Sequence, residues 1–203
     1  MANQFAKIAF TDAVKQVQAL MGSRKNYARS EAGPVTNHEL TANEAHFIGE
    51  RDSFYMASVS ATNWPYVQHR GGPKGFVRAL SATEIGFADF SGNRQYISVG
   101  NFKENNKVAI IMVDYPNQAR LKLLGAVRAI DQTSEPDTLA KLAPTDYDAK
   151  IERGFVIRIE AFDWNCPQHI TPRWTADEIQ KAVLPLQKRI EELESQLRQM
   201  KLE

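Results

Sequence analysis

A chain of 203 residues with 43% hydrophobic and 24% charged side chains can bury the core of one domain, or of one domain with an appendage, and does not have the make-up of a disordered chain. Its 25 Lys and Arg against 24 Asp and Glu give no reason to expect bulk attraction to nucleic acid or an acidic membrane, so any anion site must be local. No apolar run approaches the ~20 residues that cross a bilayer. The single cysteine, Cys166, rules out an internal disulfide or a cysteine-rich zinc site.

Residues 1–53 are helical in pattern. The start, Met1-Ala2-Asn3-Gln4-Phe5, has no basic region followed by an apolar stretch, so no signal peptide is expected and the protein is expected to be cytoplasmic. Thr11 is placed to cap a short helix in which Val14, Val17, Leu20 and Met21 recur at helical spacing, with Gly22 as its stop. Residues 22–40 read as loop. Thr41-Ala-Asn-Glu44 then forms a capping box, followed by the short apolar face of Ala45, Phe47 and Ile48.

Residues 54–162 change to short β runs. Phe54–Ser60 and Tyr66–His69 flank the turn-like Ala-Thr-Asn-Trp-Pro and predict a hairpin. Further strands are expected over Phe76–Leu80, Glu84–Phe90, Lys107–Asp114, Arg120–Asp131 and Gly154–Phe162. Glu84–Phe90 alternates, whereas Lys107–Val113 is continuously apolar after its first residue and predicts a strand covered on both faces. Strands with only short helical interruptions favour a mainly β, antiparallel barrel or sandwich over a doubly wound parallel sheet.

Residues 175–203 give the clearest periodic signal. Thr175-Ala-Asp-Glu178 is a second capping box. After it Ile179, Val183, Leu186, Ile190, Leu193, Leu197 and Met200 follow at spacings of four and three, a heptad stripe. Pro185 lies inside it and is expected to kink or restart the helix near Val183. Such a helix either lies on its own barrel or packs on a second subunit.

Motifs for dinucleotide binding, for a phosphate-binding loop and for a nucleophile elbow are absent. The four histidines, His38, His46, His69 and His169, lack metal-ligand spacing, so no metal is expected. Two segments do concentrate cations with glycine. Gln68-His69-Arg70-Gly-Gly-Pro-Lys74-Gly continues a strand, and its glycines let backbone approach a ligand that His, Arg and Lys can surround. Asp89-Phe-Ser-Gly-Asn93-Arg94-Gln95-Tyr leaves a strand and enters a helix, where free N–H groups and a guanidinium can converge on one anion. Each also reads as an ordinary polar turn. On adjacent strands of a small barrel the two would form one anion-binding mouth. A third segment, Asp163–Trp174, is dense in aromatic, amide and cationic groups, and Arg120 and Lys122 share one strand face.

These stretches, together with Phe54–Ser60, Trp64–Phe76, Gly86–Ser98, Arg120–Arg128 and Asp163–Arg173, resemble the pyridoxamine 5′-phosphate oxidase-like superfamily of FMN-binding split barrels, in particular its predicted flavin-nucleotide-binding branch. The resemblance covers residues 50 to 175 or so. It implies an antiparallel split barrel with N-terminal helices and a long C-terminal helix. It also implies a homodimer with FMN at the subunit interface. The expected organisation is a helical segment over 1–53, the barrel over 54–174 and an amphipathic helix over 175–203.

Candidate FMN-binding positions follow from the same resemblance. The strand Val67, Gln68, His69 and Arg70 offers polar backbone to the flavin ring. His69 and Lys74 stand where the oxidases have Arg and Lys, with Arg70 displaced by one. Ala88 and Asp89 precede Asn93-Arg94-Gln95, which stands for the oxidases' phosphate-binding Ser-Arg-Lys. Arg120 falls at a flavin-proximal Gln and Trp164 at a C-terminal tryptophan. Gln168 and His169 stand where the substrate-binding Arg-Leu-His would be, which that segment does not reproduce. The implied activity is an FMN-dependent oxidoreductase acting on an unidentified small molecule. A flavin-binding carrier or sensor without turnover is the alternative, and an empty dimeric scaffold a third reading. No residue is nominated as catalytic acid or base, because hydride chemistry belongs to the flavin.

Overall fold

The computed structural model describes residues 2–200. They form two compact units, one made of the chain up to Val113 together with Ala119–Cys166, the other of Asp114–Gln118 and the chain from Pro167 onward.

The first unit opens with β1 (Ala2–Asn3), α1 (Gln4–Ala9), α2 (Asp12–Leu20) and α3 (Arg24–Ala28). The Asn3 side chain caps α1 by accepting from Phe5 N, and Thr11 Oγ1 caps α2 by accepting from Val14 N. The span read as loop holds more structure than its composition suggests: α3, a 3₁₀ turn at Arg29–Glu31, and β2 (Val35–Thr36), which pairs in parallel with β1. Arg24 and Lys15 both bind Glu31. These pairs lie across the chain rather than along a helix face, so local periodicity carries no trace of them. α4 (Ala42–Gly49) begins at the expected capping box: Glu44 Oε2 accepts from Thr41 N at 2.9 Å while Thr41 Oγ1 accepts from Asn43 N.

The remaining strands are β3 (Ser53–Val59), β4 (Pro65–Gly71), β5 (Val77–Ala79), β6 (Glu84–Phe90), β7 (Lys107–Asp114), β8 (Ala119–Ile130) and β9 (Ile151–Asn165). α5 (Ile97–Glu104) lies before β7 and α6 (Pro136–Leu142) before β9. The strands form one mostly antiparallel sheet in the order β4-β3-β7-β8-β9-β6-β5, curled into a half-barrel of the split-barrel type. The predicted hairpin is present, with Phe54 opposite Arg70 and Val59 opposite Pro65. A bulge between Leu124 and Gly125 interrupts the long β8–β9 ladder. A Cβ at Gly125 would stand 2.6 Å from the Arg158 carbonyl oxygen, so only glycine fits this close crossing.

The core fills the concave side. Phe54 stacks on Phe76 at 5.7 Å between ring centroids and meets Phe87 edge-on at 5.1 Å, with Met56, Ile110, Met112 and Leu121 buried around them. A smaller apolar cluster of Ala88, Ile130, Leu139, Leu142 and Val156 lies beneath α6.

That second cluster corrects two expectations. β6, whose sequence alternates, is buried at all five internal positions, because α6 covers the face that alternation assigns to solvent. A Cβ at Gly86 would stand 2.9 Å from Leu142 Cδ2, so the glycine lets Leu142 seat directly on the sheet. β7, continuously apolar and expected to be covered twice, instead buries Val108, Ile110 and Met112 and leaves Ala109, Ile111 and Val113 more open. Phe5 of α1 reaches that second face of β7 and shares one apolar hollow with Ile111.

In the second unit, Gln118 Nε2 donates to the Ile170 carbonyl at 2.6 Å and Arg173 lies over the Tyr115 ring. α7 (Ala176–Met200) starts at the second capping box, with Thr175 N donating to Glu178 Oε2 and Glu178 N to Thr175 Oγ1. It continues through Pro185 as one helix, so no restart occurs there. The proline sits only three turns from the helix start, and the flanking turns hold the helix across its one missing N–H. Among the described residues no helix is long and apolar enough to cross a membrane.

Candidate functional site

Strand alternation divides β4. Tyr66, Gln68 and Arg70 turn toward the inside of the curled sheet and are half-buried, while Val67, His69 and Gly71 turn outward and are exposed. Opposite the inward row, β6 delivers Asp89, and the chain then turns sharply over residues 91–96 into α5. Arg94 and Tyr96 adopt left-handed backbone (φ 60° and 54°), and Asn93 Oδ1 accepts from Gln95 N within this turn. Inward row, turn and first residues of α5 enclose a cleft of about 230 Å³ lined by Tyr66, Gln68, Arg70, Asp89, Gly92–Val99 and Glu152.

The two segments expected to form one anion-binding mouth do meet, but not as neighbouring strands. β4 is one edge of the sheet and β6 lies next to the other edge. The curl brings them together, and Arg70 Nη1 reaches Asp89 Oδ1 at 2.6 Å.

The electrostatics are layered. Asp89, 6% exposed, binds Arg70 on one oxygen and lies 3.3 Å from Arg153 Nε on the other. Burial pushes its carboxyl above the usual range, against the pull of Arg70 and Arg153. Burial likewise pushes the Arg70 guanidinium below its ordinary value, although Asp89 opposes the shift. Further out, Glu152 accepts from Arg153 at 2.7 Å and from Ser91 Oγ at 2.9 Å, which hold it below the usual carboxylate range. Tyr96 Oη donates to Glu152 and accepts from Arg94 Nε, and this contact raises the Arg94 guanidinium further. Ser98 Oγ donates to Gln68 Oε1 at 2.8 Å and fixes the amide. The network holds three guanidinium groups against two carboxylates, and Arg70 Nε is buried without an acceptor. A buried, unpaired guanidinium N–H is costly and suits an anionic acceptor.

Of the residues the sequence nominates, the structure brings Gln68, Arg70, Asp89, Asn93, Arg94 and Gln95 to this cleft. Ala88 is buried in the second apolar cluster and lines a smaller hollow shared with Arg70 and Phe76. Val67 lies on the outer face, in an apolar hollow of about 240 Å³ with Phe5, Tyr55, Ala57, Ile111 and Leu124. His69 shares that face and meets the Tyr55 ring at 5.4 Å. Lys74 pairs with Glu50 and does not line the cleft. Arg120 Nη2 lies 3.4 Å from the Cys166 carbonyl oxygen. The Trp164 indole N–H donates to Glu44 at 2.8 Å, and its ring meets Phe47 edge-on, beside a separate hollow lined by residues 35–39. Gln168 and His169 belong to the second unit, in a turn where His169 is left-handed (φ 64°). Among the described residues no cluster of His, Cys, Asp or Glu is suited to a metal ion.

Tyr66, Tyr96, Ser98, Glu152 and Arg153 are members of the site that motif reading passes over. Tyr66 was accessible from period-two alternation with Gln68 and Arg70. Glu152 and Arg153 carry no local signal; only the β6–β9 pairing, with Asp89 opposite Arg153, brings them in.

Residues 40–164 match the family model described as pyridoxamine 5′-phosphate oxidase. The match spans more than half of the chain, which therefore belongs to this flavin-binding family. Its structure is similar to that of HupZ of Group A Streptococcus, at 15% identity over 66% of this chain and 99% of that one, with a TM-score of 0.50. A single-site variant of the same protein gives 14% identity, 62% and 98% coverage and a TM-score of 0.50. An FMN-binding protein from Syntrophomonas wolfei aligns at 12% identity over 73% and 97%, with a TM-score of 0.47. No curated protein matches the sequence.

Proposed function

We propose that this protein is an FMN-dependent oxidoreductase that works as a cytoplasmic homodimer and holds the FMN phosphate in the Arg70–Arg94 cleft. The observation that carries the reading is the convergence of Arg70 and Arg94 on one polar cleft, with Arg70 Nε lacking an acceptor. A phosphate close to its dianionic form takes two or three charge-assisted hydrogen bonds. Arg94, Arg70 and the Gln68 amide supply donors of that kind around one space. When bound, FMN supplies hydride or single-electron transfer at its ring. The chain's own contribution is to grip the phosphate, orient the ring and set the charge beside it.

The outer apolar face of β3, β4, β7 and β8 supports a dimer. Tyr55 and Val67 are 42% and 60% exposed there, around an apolar hollow that Phe5 of α1 borders. In this reading a second copy covers it, and the outward-facing Val67 and His69 meet the partner instead of the cleft. The barrel over 54–174 forms the binding domain, with the 1–53 segment and the helix over 175–203 as additions. Lys74, Arg120, Trp164, Gln168 and His169 remain candidates for contacts completed by the partner, and Ala88 is a candidate only through the small hollow it shares with Arg70. Vitamin B6 oxidation is not proposed, since Gln168-His169-Ile-Thr-Pro-Arg173 replaces the oxidases' Arg-Leu-His.

A second reading, a flavin carrier or sensor without turnover, is favoured by one feature: both carboxylates of the cleft, Asp89 and Glu152, are already engaged by arginines. The absorption spectrum of the purified protein and titration with FMN and riboflavin test binding. Failure to bind either flavin overturns the proposal. Anaerobic mixing with NADH or NADPH separates the two readings. Rapid bleaching supports the oxidoreductase, and an unreactive oxidised flavin supports the carrier.

A further inference from the structure

α7 begins twelve residues beyond the family match and is not needed to complete the sheet. None of its 25 residues is buried, yet Ile179, Leu186, Ile190 and Leu197 are between 52% and 63% exposed on one stripe. A solitary helix with this row facing water is unstable, because short helices in water rely on packing of their apolar face. The stripe has a definite register. Steps of four and three place Val183, Ile190 and Leu197 at heptad position a and Ile179, Leu186, Leu193 and Met200 at d.

We infer that α7 pairs with α7 of a second copy of this chain as a parallel, in-register two-stranded coiled coil. Two observations choose this occupant. First, β-branched Val183 and Ile190 at a alternate with Leu186 and Leu193 at d, the pattern that favours two parallel strands over three or four. The two ends depart from it: Ile179 puts a β-branched residue at the first d, and Leu197 and Met200 add apolar area without branching at Cβ. Second, one pair of flanking charges is complementary in this arrangement. In a parallel pair a g residue faces the following e residue of its partner. Here that sets Arg189 against Glu194 of the other copy, twice by symmetry. An antiparallel pair would set g against g and e against e, so Arg189 and Glu194 would not face each other. Within the helix Arg189 now pairs with Glu192 at 3.0 Å, and Arg198 lies 4.0 Å from Glu194. Both contacts are surface pairs that exchange readily.

Pro185 falls at position c, outside the seam, so its ring does not enter the contact. The a/d row is also narrower than the face a helix lays on a globular core, which is about 100° wide. The seam is short, and a coiled coil of this length is marginal alone. Joined to any other contact between the same two chains, it acts at millimolar effective concentration. The inference is independent of flavin binding.

The test uses the full chain with Cys166→Ser as background. Leu193→Cys, at d, is expected to give a disulfide-linked dimer under mild oxidation, whereas Glu191→Cys, at b, is not. Glu194→Arg is expected to weaken dimerisation at least about threefold by sedimentation, and Arg189→Glu combined with Glu194→Arg to restore it. A dimer in which the Leu193→Cys thiol stays unlinked overturns the inference, as does equal linking at Glu191→Cys. A monomer at every concentration overturns it too, and would mean that the stripe packs on its own chain.

Discussion

Arg70 and Asp89 form a 2.6 Å ion pair between an edge strand and a strand next to the opposite edge of the same sheet. The contact closes the curl of the half-barrel and sets the wall of the cleft. If the cleft binds the FMN phosphate as proposed, the pair would also couple binding to protonation, because the guanidinium gripping the anion already holds a buried carboxylate.

Asp89→Asn is expected to tighten FMN binding at pH 7 by on the order of 1–2 kcal/mol, the worth of removing one partly screened negative charge several ångströms from the phosphate. Riboflavin, without a phosphate, should bind equally to both proteins. The pH dependence of stability has a fixed sign. The folded Asp89 carboxyl titrates above its unfolded value, so its favourable contribution is full below the unfolded value and is lost as pH rises through the folded one. Urea unfolding should therefore show the wild type gaining on Asp89→Asn as pH falls from neutral into the acid range. A constant difference would remove the burial argument.

Arg94→Ala should weaken FMN binding at least about tenfold, as expected on losing a hydrogen bond to a charged group, while leaving the melting temperature nearly unchanged. Arg94 is exposed, and it is tied to the fold by a hydrogen bond to Tyr96 and the nearby charge of Glu152. Calorimetric titration with FMN and riboflavin checks this. Equal loss for both ligands would move the phosphate elsewhere.

Glu44→Gln tests the opposite titration. Burial pushes the Glu44 carboxyl up, but hydrogen bonds from Thr41, the Trp164 indole and Asn43 more than offset it and hold the group below the usual glutamate range. Its stabilising effect is present above the unfolded value and is lost as pH falls through the folded one. The substitution should cost about 1–2 kcal/mol at pH 7, shrinking in strongly acidic solution. A cost that does not vary with pH would mean that shape, not charge, matters at this cap.

Leu142→Ala should destabilise the fold by about 2–5 kcal/mol. Leu142 is fully buried against the Gly86 gap of β6 and anchors α6 to the second apolar cluster. Chemical denaturation measures the loss. A cost under about 1 kcal/mol would show that α6 is a detachable cover.

Features that depend on a few consecutive residues were fixed by the sequence alone. Both capping boxes formed as Thr41-Ala-Asn-Glu44 and Thr175-Ala-Asp-Glu178 require. The β3–β4 hairpin and the Arg94 turn likewise follow from local steric and hydrogen-bonding preferences. The apolar stripe of α7 needed only the period of its residues. Tertiary structure decided which faces of β6 and β7 are covered, because a strand's pattern does not say whether a helix such as α6 will lie across it. Tertiary structure also decided that Gln68 and Arg70 line the cleft while Val67 and His69 turn away, and that Glu152 and Arg153 belong to it. Burial, charge pairing and cleft shape arise where one edge strand of the curled sheet meets the strand next to the opposite edge, and the residues that meet there are brought together by its closure, not by their spacing in the chain.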